Sequence, residues 1–453
     1  MILRLNADAP GAGNPHAKIV ADPVHGFISV PRKDILPLIQ TPEVQRLRRI
    51  RQLGVGNFVF PGAEHSRFSH ALGAMALMQE TILTLRGKDT PIDAEEETAA
   101  LITALLHDIG HGPFSHSLEH ILITDFEHEQ MSRALIVQIN ERLGGALDRA
   151  LQMFDNTYHR PFFHQLISSQ LDMDRLDYLR RDSYFTGVVE GKVGVQRIIK
   201  SMLVYPTAGQ ADSRVVIEPR GIYPVENFLF ARRLMYWQVY LHKTVLAGDH
   251  LLQGILHRVR RLLRAGDTDV ASLGAPALLF FLQHDIVGRD IQDPHVRAVF
   301  CELDDSDIVY SVKRWAHHPD PILVDLCRRF NTRDFLRVRF LGHEATPDER
   351  GEWEAHVTDW MIEQGLTTRR DAASDLPYYL GLDRSGHAAY VYDNGGGIDV
   401  LMPETGIQEL STVTDTAAIS SLTQFVEKPY VCYPKEVRLS FAPLEHHEDS
   451  RSV

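Results

Sequence analysis

Two short segments carry most of the side chains able to hold a cation or move a proton. HSRFSHALGAM (His65 to Met75) supplies His70, and LLHDIGHGPFSH (Leu105 to His116) supplies His107, Asp108, His111 and His116. An adjacent His-Asp pair with a distant histidine offers nitrogen and carboxylate donors. That mix suits a divalent ion of intermediate hardness and leaves positions open for water or phosphate oxygens. A fourth ligand is needed, and Asp174 in SSQLDMDRLDYLRRD is the best candidate. Two carboxylates balance a dication, whereas one carboxylate with three neutral imidazoles does not. The set points to a metal-dependent hydrolase. A lone His-Asp dipeptide caps a helix or satisfies a core hydrogen bond as readily as it binds metal; the extended segments tip the balance.

More histidines are present than one ion needs. His111 and His116 follow the ligand pair, and FEHEQ adds His128 soon after Glu119. Imidazoles contact phosphate or transfer protons near neutral pH. His116 is the choice for a general acid that protonates a leaving alkoxide, His111 for a phosphate contact, and Glu119 for the acid that orients His128. The plainer alternative is that some of them only brace the ligands. Two polar stripes complete the set. Asp174, Tyr178 and Asp182 recur at i, i+4 and i+8 with Arg175 alongside, and Arg232, Tyr236, Tyr240 and Lys243 follow at spacings of 4, 4 and 3. Cations for phosphates, acceptors for sugar hydroxyls and aromatic walls are what a nucleotide requires. Alone, either stripe reads as a solvated, ion-paired helix face.

Positioning these groups falls to a mainly α chain. KIVADPVHGFISV (Lys18 to Val30) has strand character around an Asp-Pro turn. TPEVQRLRRIRQL predicts a helix capped by Thr41 with Pro42 in its first turn. Helical patterns dominate to about residue 265. Ala71 to Leu85 reads as an apolar helix, and Glu95 to Glu97 open another that delivers His107 and Asp108 at its end. Gly110, Gly112 and Pro113 then stop that helix, letting His111 and His116 turn back. SRVVIEP is a short strand. The expected division is a loose terminus over 1–17, a catalytic helical core over 18–265, a helical extension over 266–375, a small mixed α/β unit over 376–442 with one helix at 414–425, and a tail over 443–453.

Subtracting 60 acidic from 47 basic residues gives a net charge of −13, which argues against wholesale nucleic-acid coating but leaves room for a local phosphate pocket. Cys301, Cys327 and Cys432 have no CxxC spacing, so neither a disulfide framework nor a thiolate zinc site is expected. No segment forms a clean membrane-spanning run, and a cytoplasmic protein is expected.

Taken in order, TPEVQRLRRIRQLGVGNFVFPGAEHSRFSHALG, LLHDIGHGPFSH, FEHEQ, LDMDRLDYLRRDSYFTG and YWQVYLHK resemble the HD-domain deoxynucleoside triphosphate triphosphohydrolases, the family of the sterile-alpha-motif/HD proteins. The similarity is strong over residues 18 to 250 and loose beyond, with no sterile-alpha-motif domain ahead of the HD region. It implies an HD-domain helical core and hydrolysis of a dNTP to deoxynucleoside plus triphosphate.

Carried onto matching positions, the resemblance implies His70, His107, Asp108 and Asp174 as ligands of a divalent metal (Fe, Mn, Zn, Ni, Co or Mg), with additional Mg²⁺ on the substrate phosphates. His111, His116 and His128 match catalytic histidines, and Glu119 their acid partner. Arg67, Arg175, Tyr178 and Arg232 match phosphate-side contacts, Arg175 replacing a lysine. Gln52 and Asp182 would read the 3′-hydroxyl, and Tyr240 would crowd a 2′-hydroxyl. Leu241 stands where the human member has a glutamine, so base contacts differ. Lys18, Gln45 and Arg48 match an activating-nucleotide site at a subunit interface of a dimer or tetramer. Gln40 replaces the acid that recognises guanine there and Glu218 replaces a base, so effector choice is altered or guanine nucleotide is not required. The rivals are another HD phosphohydrolase, acting on monophosphates, cyclic nucleotides or nucleic-acid ends, and a nucleotide-sensing binding protein.

Overall fold

A computed structural model describes residues 17–206, 213–392, 396–415 and 418–441, with the side chains of His116, Ala418 and Ser420 outside the described residues. The expected tail (443–453) and all but the last residue of the expected loose terminus therefore lie outside them; Ala17 already belongs to a strand. Strands β1 (Ala17–Asp22) and β2 (Gly26–Pro31) form an antiparallel hairpin with Asp22 opposite Gly26. Asp22 Oδ1 accepts the amides of Val24 and His25 at 2.9 Å each, so the carboxylate itself closes the turn.

The helices that build and surround the site include α1 (Arg67–Arg86), α2 (Ala94–Leu106), α3 (Ser115–Leu122), α4 (His128–Arg142), α5 (Met173–Thr186), α6 (Ile222–Met235), α7 (Lys243–Arg264) and α8 (Pro321–Thr332). Helix α1 packs against both α2 and α5, and α7 packs against α3 and α8. The acidic start of α2 is a reciprocal cap: Glu96 N donates to Asp93 Oδ1 at 2.7 Å and Asp93 N to Glu96 Oε2 at 3.0 Å. The chain is mainly α, as its periodicities predict.

Several expected elements change. The helix expected from Thr41 is one turn, Pro42–Arg46, running into a 3₁₀ turn, Leu47–Arg49. Thr41 does not cap it; its hydroxyl donates to the Leu38 carbonyl at 2.8 Å. The reason is Arg46, which is fully buried and donates to the carbonyls of Leu303 (3.2 Å), Ile109 (3.2 Å) and His111 (2.5 Å). Tertiary contact with the turn after α2 overrides local propensity. After α6 the backbone makes a π turn, Tyr236–Tyr240, before α7 begins. Lys243 therefore leaves the stripe of Arg232, Tyr236 and Tyr240, and its ammonium lies exposed, 5.8 Å from the Phe340 ring. Of the helix expected over 414–425, Ala418–Leu422 is helical, and residues 416–417 lie outside the described residues.

Two further sheets form the mixed α/β portion. In one the order is β3 (Met202–Tyr205), β4 (Arg214–Ile217), β7 (Asp399–Met402), β8 (Gly406–Glu409); in the other it is β5 (Arg337–Phe340), β9 (Val426–Tyr433), β6 (Gly381–His387). Strand β4 pairs in parallel with β7 at Ile217 and Val400, and β5 pairs antiparallel with β9. Both sheets thus combine C-terminal strands with strands from earlier in the chain. Leu171, Leu176 and Leu179 around α5 join Met75 and Met78 of α1 and Leu105 of α2 in one continuous apolar core.

Candidate metal centre and adjoining cavity

His70 lies in the first turn of α1, fully buried. Its Nδ1 is 2.7 Å from Asp177 Oδ2 on α5, so this nitrogen donates and Nε2 carries the lone pair. His107 follows the last residue of α2; its Nδ1 donates to the Ala104 carbonyl at 2.8 Å, which again turns the Nε2 lone pair outward. Both Nε2 atoms are buried without a hydrogen-bond partner. They face carboxylates. Asp174 Oδ1 is 3.1 Å from His70 Nε2 and 3.5 Å from His107 Nε2, and Asp108 oxygens lie 3.6 and 3.5 Å from the same two nitrogens. The four ligand atoms lie within 4.8 Å of one another. Two imidazole lone pairs and two carboxylates converging in a buried space need positive charge among them, and a dication fits that donor set. Burial opposes protonation of His70, yet Asp174 and Asp177 lift its imidazole to about 10; His107 is likewise lifted to about 9 by Asp108 and Asp174 against its burial.

A second group adjoins the first. Asp108, His111 and His128 also offer atoms within 4.8 Å of one another. The rings of His111 and His128 stack at 3.7 Å with 18° between planes. His128 Nδ1 is 3.2 Å from Glu119 Oε1, and the His128 amide is capped by the same carboxylate. Burial and the nearby Arg67 guanidinium hold His111 well below the usual imidazole range, while the Glu119 hydrogen bond, with Asp108 and Glu129, raises His128 despite its burial. The two stacked imidazoles are thus pushed in opposite directions, His111 down and His128 up, the kind of split that acid and base roles require.

All seven expected substrate residues line one cavity of about 990 Å³ with Asp108, Asp174, His111 and His128: Gln52, Arg67, Arg175, Tyr178, Asp182, Arg232 and Tyr240. Arg67 Nη1 is 3.0 Å from Asp108 Oδ2, and Arg232 Nη1 donates to Gln170 Oε1 at 3.0 Å. Arg175 is turned back onto Asp172, which caps its own helix, and onto the Ser169 carbonyl. The Tyr240 hydroxyl donates to Asp182 Oδ2 at 2.7 Å, and His65 Nε2 lies 2.7 Å from Asp182 Oδ1. Burial and Asp182 push the Tyr240 phenol well above its ordinary value, so it remains a donor. The backbone of residue 116 sits in the first turn of α3, but its side chain lies outside the described residues. Lys18, Gln45 and Arg48 do not line the cavity. Lys18 is exposed on β1, Gln45 Oε1 accepts from Arg48 Nε at 3.0 Å, and the Arg48 guanidinium lies 3.6 Å from the Phe68 ring centroid.

Sequence reasoning missed the residues behind the ligands. Asp177 fills all its acceptor positions: Oδ1 with His25 Nε2 (2.5 Å) and Arg181 Nη2 (3.0 Å), Oδ2 with His70 Nδ1 (2.7 Å) and Arg181 Nε (2.9 Å). Arg181 continues to Asp22 at 2.8 Å, tying the β1–β2 turn to a metal ligand. The only signal was the run of acids in LDMDRLD, which does not say which one binds metal and which one holds the histidine.

Comparison with known proteins agrees with this geometry. The HD domain family matches residues 67–182, a span that runs from the start of α1 to Asp182. The Bacillus subtilis protein YwfO, itself uncharacterized, is 34% identical over 435 residues, covering 93% of each chain. A crystal structure described as a phosphohydrolase from Bacteroides thetaiotaomicron superposes with a TM-score of 0.84 at 39% identity, over 92% of this chain and 99% of that one. A deoxynucleoside triphosphate triphosphohydrolase SAMHD1 homolog of Dictyostelium discoideum is 28% identical over 285 residues, 57% of this chain and 55% of that protein. No helix among the described residues is long and apolar enough to cross a membrane. With its His/Asp site intact and nearly its whole length shared with YwfO and with the Bacteroides phosphohydrolase, the chain belongs to the HD-domain phosphohydrolases.

Proposed function

We propose that this phosphohydrolase cleaves a dNTP to deoxynucleoside and triphosphate. The observation that carries the reading is the Asp182–Tyr240–His65 cluster, which shares one cavity with the His/Asp centre and three arginines. A carboxylate held by two neighbours, with a tyrosine hydroxyl and Gln52 beside it, suits a sugar hydroxyl; Arg67, Arg175 and Arg232 suit phosphates. The distant SAMHD1 relatives, named for this activity, support the same choice.

His70, His107, Asp108 and Asp174 are the metal ligands in this reading. A dication held by them would supply Lewis acidity toward the phosphate and lower the pKa of a water, and additional Mg²⁺ would accompany the substrate phosphates. Water oxygen bonds to the α-phosphorus, and the bond from phosphorus to O5′ breaks. His116 gives its proton to O5′ and is restored by the proton that the attacking water releases. His111 contacts the phosphate, and Glu119 orients His128 beside it and raises its basicity. Gln52 and Asp182 bind the 3′-hydroxyl while Tyr240 crowds the sugar, leaving little room for a 2′-hydroxyl, and Tyr178 stands on the phosphate side. Lys18, Gln45 and Arg48 form the interface site for an activating nucleotide in a homo-oligomer, a dimer or tetramer. With Gln40 in place of an acid, turnover does not depend on GTP. Anion-exchange analysis of products from each dNTP, with and without GTP or a second dNTP, tests this. Release of inorganic triphosphate supports the reading; monophosphate or pyrophosphate as the only product overturns it, and strict GTP dependence overturns the regulatory part.

A further inference from the structure

The cavity does not end at the sugar-side residues. It continues between α7 and β6, past Leu241 and Leu246 to Asp249, His250 and Asp383. This end is apolar-walled and acceptor-rich. Asp249 Oδ1 is occupied by the Ser117 hydroxyl, leaving Oδ2 without a hydrogen bond recorded to it. His250 donates one ring N–H to the Tyr378 carbonyl, and its Nε2 is buried with no hydrogen-bond partner. Burial pulls this imidazole down to about 4, so Nε2 offers a lone pair rather than a proton. The ring cannot swing away, because β6 crosses it at Gly381, where a Cβ would overlap the imidazole. Asp383 Oδ2 receives the Tyr430 hydroxyl at 3.3 Å and Oδ1 the Arg384 amide at 2.7 Å, so the carboxylate is held in place at the mouth of this end. The nearest cation on the strand, Arg384, is committed to Glu344 at 2.8 Å and Glu427 at 3.2 Å.

We propose that Asp249, His250 and Asp383 form a recognition site for nucleobases that carry an exocyclic amine. Asp249 Oδ2 and His250 Nε2 beside apolar side chains, with the exposed Asp383 carboxylate at the mouth, call for a planar group with N–H donors. Adenine, cytosine and guanine present an amine there. Thymine presents two carbonyls flanking one N–H, and its carbonyl oxygens would face carboxylates with their partners lost. A buried acceptor left unpaired discriminates more strongly than a missing apolar contact does. Strand β6 thereby makes the C-terminal sheet part of the specificity apparatus, and no residue of that strand was singled out by motif. The inference rests on the nucleotide reading above, and binding separates the two.

The experiment measures equilibrium binding of dATP, dCTP, dGTP and dTTP by calorimetry to the metal-stripped chain, alongside triphosphate release by the metal-loaded one. Wild type should bind the three amine-bearing nucleotides at least tenfold more tightly than dTTP. Asp249→Asn puts an amide N–H where the ligand's amine should sit, so that ratio should shrink at least fivefold, with dTTP gaining. Asp383→Asn, at an exposed position that does not endanger the fold, should shrink it in the same direction. Binding of all four nucleotides within twofold in wild type, or an unchanged ratio in both variants, overturns the inference. If the ratio behaves as stated but no nucleotide yields triphosphate, the base site stands and the triphosphohydrolase reading falls. If triphosphate is released from all four with the same preference in every variant, the base site falls and the activity stands.

Discussion

Loading the metal-free chain with a divalent cation should release about two protons per site near pH 7.5. Against their burial, His70 is raised to about 10 by Asp174 and Asp177, and His107 to about 9 by Asp108 and Asp174. Against an ordinary imidazole value of about 6.5, both rings then hold a proton at pH 7.5 in roughly nine molecules of ten or more. A cation occupies both Nε2 lone pairs and both carboxylates, so each proton must leave. Two displaced protons make the apparent affinity rise by roughly a hundredfold per pH unit in the range below 9, flattening as pH passes 10. The same values act on stability in the metal-free chain. A histidine pKa raised by folding contributes stability that is full below about 6.5 and is lost as pH rises through 9 to 10. Calorimetric titration of EDTA-stripped protein with Mn²⁺, in buffers of different ionisation enthalpy, counts the protons directly. Release of fewer than half a proton, or an affinity that is flat between pH 6.5 and 8.5, would refute the claim that these carboxylates wait for a cation.

Three further outcomes follow from the packing behind the site. Asp177→Asn should weaken metal affinity by about 10–100-fold, the usual consequence of losing the carboxylate behind a ligand histidine, read by metal titration with circular dichroism confirming that the helices persist. Gly73→Ala would ordinarily stabilise a helix by up to about 1 kcal/mol; here its methyl would overlap the Asp177 carboxylate and the Arg181 guanidinium, so thermal melting should fall and metal affinity with it. Tyr240→Ala should raise kcat/KM for ribonucleotides relative to deoxyribonucleotides at least tenfold, measured with matched pairs such as ATP and dATP; an unchanged ratio would remove Tyr240 from sugar discrimination.

Much of the centre was legible because its donors cluster in the chain. His107, Asp108 and His111 are neighbours, and the stripe of Asp174, Tyr178 and Asp182 follows the repeat of one helix, so spacing alone puts them on one face. The second stripe was legible only in part. A π turn at Tyr236–Tyr240 breaks the α-helical repeat, which keeps Tyr240 in the cavity but sends Lys243 away. The short helix at Pro42–Arg46 was overextended because nothing local says that Arg46 is drawn into the core by three carbonyls from distant segments. Strand β6 was expected, but its approach to the catalytic cavity depends on its pairing with β9 and on contact with α7, neither of which is written in a pattern of residues.

The charges that escaped notice share a property with those that were found: each is buried and each joins segments far apart in sequence. Burying Arg181, Asp177 and Asp22 carries a desolvation cost that an apolar cluster of the same volume avoids. What the charges provide is direction. An apolar cluster fixes volume but not the rotation of an imidazole, whereas Asp177, with both oxygens taken by His25, Arg181 and His70, fixes which nitrogen of His70 faces the centre and at what angle. Arg46 does the equivalent for the loop after α2 by holding the carbonyls on either side of Gly110. Both devices reach the centre from the N-terminal 50 residues. The aim of His70, set by Asp177 of α5, therefore depends on the β1–β2 turn, and displacement of that hairpin would alter it before it disturbed the fold.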